Sequence, residues 1–112
     1  MNLAQIEVMV RNPGEEVFIS DSGWFSDPSA EAIKDAWLLM EQRFEEVLEL
    51  ATACLGKPVF TETTDPELRD AIYQEAMRIA GWKKGNRYAV LVLGQHDKET
   101  PVFVSFGYRR EA

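Results

Sequence analysis

Histidine and cysteine are nearly absent from this chain, whose 112 residues contain one of each, His96 and Cys54. A single cysteine excludes an intramolecular disulfide framework and a multi-cysteine zinc site. A single histidine leaves the glutamates Glu41, Glu45 and Glu49, aligned at i, i+4 and i+8, without the Glu-x-x-His partner that a helical-bundle metal centre requires. No metal and no cofactor is therefore expected. Apolar runs are short, and none approaches the ~20 residues that span a bilayer. The N-terminus has no basic n-region, and Glu7 interrupts its apolar stretch, so it does not read as a secretory signal. These absences predict a cytoplasmic protein with no membrane partner.

Basic residues are scarce where acidic ones are dense. Residues 1–55 hold eleven acidic and three basic side chains, a net of −8, whereas residues 56–112 hold eight and nine, a net of +1. Phosphate contacts need clustered lysine and arginine, so direct nucleic-acid binding is not expected. An imbalance confined to one half suggests a directed field. It is equally what a glutamate-rich solvent face on one amphipathic helix would produce.

What is present is an ordinary core, with 46% hydrophobic and 28% charged residues, in a chain of one-domain length. The opening "LAQIEVMV" alternates Ile6, Val8 and Val10 with Glu7, Met9 and Arg11, which predicts a half-buried strand. Pro13 and Gly14 suit the centre of a type II turn, and "EVFIS" follows as a second strand. Asp27 and Pro28 then open a helix predicted over 28–55. Its core face is Ile33, Trp37, Met40, Phe44, Val47, Leu48, Ala51 and Leu55, and Gly56 and Pro58 stop it. Its outer face carries Glu31, Asp35, Glu41, Glu45, Glu46 and Glu49.

"KPVFTET" is a short strand or an extended connector. Asp65 and Pro66 start a second helix predicted over 66–80, with Leu68, Ile72, Ala76 and Ile79 on one face, Gly81 as its stop and Trp82 folding back on its last turn. "KKGN" is a turn. "RYAVLVLG" is apolar on both faces and predicts a central strand, and "PVFVSFGYR" predicts the last. The order ββα(β)αββ, with segregated strands, implies an α+β fold in a single domain over 1–112. Both terminal hairpins would build one antiparallel sheet, with the two helices on one face.

His96 and Asp97 lie in "GQHDKETP", between two apolar segments of matching length, which is how a hairpin loop looks. Chain neighbours seldom face each other, and nothing beside them supplies a nucleophile. Cys54 falls in the last turn of the long helix, where the dipole opposes a thiolate, so it reads as a small apolar filler. "GWKKGNR" lacks the P-loop order and does not lead from strand to helix. No catalytic residue is assigned, and the expected activity is not enzymatic.

A small acidic protein without an assembled catalytic set suggests an inhibitor of a basic protein partner. The leading expectation is a bacterial immunity or antitoxin-type protein that occludes the basic site of a toxin or nuclease. Its partner-binding residues would be Glu31, Asp35, Glu41, Glu45, Glu46 and Glu49, with Trp24 as apolar anchor. Trp24 and Phe25 could instead staple the helix entry. A phage-type DNA mimic that blocks a defence nuclease is a close alternative. A small-molecule-binding or enzymatic α+β module, with a pocket between sheet and helices, is another. A homodimer that pairs its apolar sheet face is the third.

Overall fold

The computed structural model describes residues 2–23, 29–61, 76–95 and 101–108. In chain order the elements are α1 (Leu3–Arg11), β1 (Val17–Asp21), α2 (Ala30–Leu55), β2 (Ala76–Lys84), β3 (Arg87–Gln95) and β4 (Val102–Tyr108). The strands form one sheet in the order β1-β4-β3-β2, with every neighbouring pair antiparallel. The fold is α+β.

The first strand expected from the sequence is a helix. Asn2 caps α1: its side chain accepts from the Gln5 amide while the Gln5 side chain accepts from the Asn2 amide, each at 2.9 Å. This reciprocal box satisfies two amides that a helix start otherwise leaves open. Ile6 and Val10, one turn apart, are fully buried, whereas Val8 is 65% exposed. Arg11 pairs with Glu7 one turn back at 3.0 Å. There is accordingly no N-terminal hairpin, and Pro13 and Gly14 link a helix to β1. The first sheet partner of β1 is the last strand of the chain, β4.

α2 has almost the predicted extent. Its observed N-cap is Ser29, whose hydroxyl accepts from the Ala32 amide at 3.2 Å, in place of the predicted Asp27. Asp27 and Pro28 lie outside the described residues. The helix ends at Gly56 with φ 90°, a conformation that glycine adopts without strain. Ala36, Met40, Phe44, Val47 and Ala51 are buried against the sheet, with Trp37, Leu48 and Leu55 partly so.

The second predicted helix is corrected over its last five residues. Ala76–Lys84 is strand β2, paired with β3 through Lys84↔Arg87. Residues 62–75, with Asp65, Pro66, Leu68 and Ile72, lie outside the described residues. Gly81 is not a helix stop: it sits mid-strand, where an added Cβ would lie 2.2 Å from the Phe60 ring. Phe60 forms an isolated bridge with Gly81, so residues 57–61, the described part of the "KPVFTET" stretch, are a connector that touches the sheet edge. The β2–β3 turn has Gly85 at φ 62° followed by Asn86, the glycine-first pattern of a type II′ turn.

Alternation along the strands divides the interior in two. Ala80, Trp82, Ala89, Leu91, Leu93, Val102, Val104 and Phe106 face the helices and form one cluster with Ile6, Val10 and the inner stripe of α2. Ile79, Val90, Val92 and Phe103 form a second cluster on the opposite face, with Phe60 and Tyr88 against it. Both helices therefore lie on one face of the sheet. β3, between β4 and β2, is the central strand predicted from its two-sided apolarity, and Ala89–Leu93 are fully buried. Trp82 joins strand to helix: its indole Nε1 donates to the Gly56 carbonyl at 2.8 Å. No helix among the described residues is long and apolar enough to cross a membrane.

Candidate functional site

The outer side of α2 is the surface on which the sequence concentrates charge. The helix runs 26 residues, roughly 39 Å at 1.5 Å per residue. Its inner stripe at spacings of three and four is committed to the sheet, so the intervening positions must face water. Glu31, Asp35, Glu41, Glu45, Glu46 and Glu49 are all exposed. The helix thus brings all six predicted carboxylates onto one rigid element.

These carboxylates are not equivalent. Glu45 forms an ion pair with Arg78 of β2. Arg78 also lies over the Phe44 ring, 4.5 Å from its centroid, so one side chain ties strand, charge and core together. Glu46 pairs with Arg43 at 3.1 Å, and Arg43 also donates from Nε to the Ser20 hydroxyl of β1 at 3.1 Å. Among the described residues Glu31, Asp35, Glu41 and Glu49 form no ion pair. Four of the six therefore have no ion-pair partner among the described residues.

Two leucines interrupt this acidic surface. Leu38 is 55% exposed and Leu39 is 59% exposed, while their neighbours Ala36 and Met40 are buried. Leu38 is in heptad register with Glu31 and Glu45, and Leu39 lies between Asp35 and Glu46. The site residues missed by the sequence reading are these leucines and Arg78. The signal for the leucines was present in the run "AWLLM", which is wider than one helical stripe can bury; Arg78 had none.

Two open hollows flank the Glu45–Arg78 pair. One is lined by Lys34, Trp37, Leu38, Glu41 and Arg78. The other is lined by Gln42, Glu45, Glu46, Leu48, Glu49 and Thr52. Trp37, which forms part of the first, is held by its indole Nε1 donating to Gln95 Oε1 at 3.2 Å. The Thr52 hydroxyl in the second donates to the Leu48 carbonyl at 2.7 Å.

Other candidates fall elsewhere. Trp24, the expected anchor, lies outside the described residues, as do Phe25 and the His96–Asp97 pair. The strands on either side of that pair do form a hairpin, with Gln95 opposite Val102. Cys54 is half-buried against the core; the nearby Arg11 guanidinium is raised above its ordinary pKa chiefly by its hydrogen bond with Glu7. Among the described residues no three His, Cys, Asp or Glu side chains converge as metal ligands. Between sheet and helices, Phe44, Val47, Leu91, Leu93 and Phe106 are at most 1% exposed. No protein-family model matches the chain, and no curated protein or solved structure is significantly similar to it.

Proposed function

We propose that this is a non-enzymatic cytoplasmic binding protein that neutralises a basic protein partner, in the manner of an immunity or antitoxin-type inhibitor of a toxin or nuclease. The observation that carries the reading is the exposure of six carboxylates on one helix, four of them outside any ion pair among the described residues. Fixed like charges on a rigid element accelerate encounter with an oppositely charged site and suppress wrong partners. A single well-packed helix also needs little reorganisation to present them.

The test uses the partner that copurifies from the producing cells, once identified and purified. Association is followed at two salt concentrations for the parent and for a variant with Glu31, Asp35, Glu41 and Glu49 changed to lysine. Glu45 and Glu46 are left in place because their reversal would also break the contacts to Arg78 and Arg43. The variant is expected to associate at least tenfold more slowly and to lose most of its salt dependence, since exposed charges are screened over roughly 8–10 Å. Parental association rates in both salts would reduce these carboxylates to a solvated face and end the proposal.

A further inference from the structure

The two hollows on α2 differ in charge. The first is lined by Lys34, Arg78, Glu41, Trp37 and Leu38, and because Arg78 is paired with Glu45 its remaining charges, Lys34 and Glu41, balance. A cation entering it would gain no net attraction. The remaining hollow brings Glu45, Glu46 and Glu49 around one opening whose lining includes no cation, with Leu48 supplying apolar surface. Glu45 and Glu46 keep their own arginines, so the uncompensated charge at that opening is Glu49.

On the acidic-binding reading above, the geometry points to a specific occupant: an extended segment of a basic protein that places an apolar side chain in the first hollow and an arginine or lysine in the second. An arginine suits the second because its stem can lie on Leu48 while its guanidinium meets carboxylates. The apolar side chain suits the first because Leu38 and the half-buried Trp37 offer it contact that water does not reward. The exposed leucines are thereby the apolar centre of a surface whose rim is charged, the arrangement expected of a protein interface.

The hollows are centred about nine residues apart on α2, roughly 14 Å. An extended chain rising about 3.3 Å per residue covers that distance in about four residues, and side chains at i and i+4 of such a chain point the same way. The matching pattern is a leucine and an arginine four positions apart, in either order. A spacing of three would turn them to opposite faces.

Synthetic peptides test this against the isotopically labelled full chain, with amide and indole resonances as readout. One pair carries leucine and arginine at i and i+4 in the two orders, and controls have the i, i+3 spacing or alanine in place of leucine. The better matched peptide is expected to bind at least tenfold more tightly than either control and to shift the Trp37 indole and the amides of Leu38 and Glu49. Leu38→Asn should abolish the advantage of leucine, and Glu49→Gln should weaken arginine-bearing peptides; both sites are exposed, so the fold is retained. Equal binding of matched and control peptides overturns the two-hollow assignment while leaving charge-driven binding intact. Shifts that spare α2 with every peptide overturn it as well, and the association kinetics above then judge the broader proposal on their own.

Discussion

Gly107 lies where β4 passes against the chain entering β1. Its φ is 151°, and an added Cβ would lie 2.4 Å from Glu16 Cα. The neighbouring Tyr108 amide donates to the Gly14 carbonyl at 2.7 Å, so the two backbones cannot separate without losing that bond. Gly107→Ala is expected to destabilise the protein by about 3 kcal/mol, from overpacking and an unfavourable backbone conformation together. Gly14→Ala is the control: nothing lies within 4 Å of its added Cβ and its φ is not positive, so it should be neutral or stabilise by under about 1 kcal/mol. Urea unfolding of both variants checks this, and equal midpoints would remove the close approach as the reason for glycine at 107. A glycine inside a strand pattern signals such an approach, so Gly107 was legible in outline. Gly81 was not. It follows an apolar stretch at helical spacing, and the ring that requires it belongs to Phe60, a long-range partner that local pattern cannot supply.

At the scale of elements, the error over residues 3–10 has a local cause. Ile6 and Val10 are four apart, a spacing that satisfies both the strand and the helix period. Val8 alone separates the two, and it is 65% exposed. The deciding signal was Asn2 with Gln5, a capping box that an alternation count ignores. Three substitutions confirm the assignment by chemical denaturation. Asn2→Ala should cost about 1 kcal/mol. Ile6→Ala should cost about 2–5 kcal/mol, and Val8→Thr should stay within about 0.5 kcal/mol. Comparable losses at Ile6 and Val8 would restore the strand. α2 was read nearly in full because its inner stripe and glycine stop agree with one another, although its N-cap is Ser29 and not Asp27. Its acidic surface was legible for the same reason: once the stripe is fixed, the outer positions follow. The leucines showed only as an apolar run too wide for one stripe, and the Arg78 contact did not show at all, because it depends on β2 being a strand.

At the scale of the whole molecule, the charge distribution works against the fold that carries it. Glu31–Asp35, Glu41–Glu45 and Glu45–Glu49 are like-charge pairs one turn apart on α2. Each such pair weakens a helix by roughly 0.2–0.5 kcal/mol. The last turn of α2 has no basic residue, so its C-terminal dipole is also unmet by a cation. Glu49→Lys addresses the first, turning one repulsive pair into a favourable Glu45–Lys contact; position 49 precedes the last turn, so the dipole is little affected. It moves the net charge from −7 by two units, to −5. The variant should be more stable than the parent by roughly 0.5–1 kcal/mol at low ionic strength, and the gain should shrink in about 0.5 M salt, where charges are screened within a few ångströms. The same substitution should slow association with a basic partner. Opposite effects on stability and binding would identify Glu49 as a residue retained for recognition at the expense of the helix. A loss of stability instead would make the carboxylate structural and remove Glu49 from the docking surface.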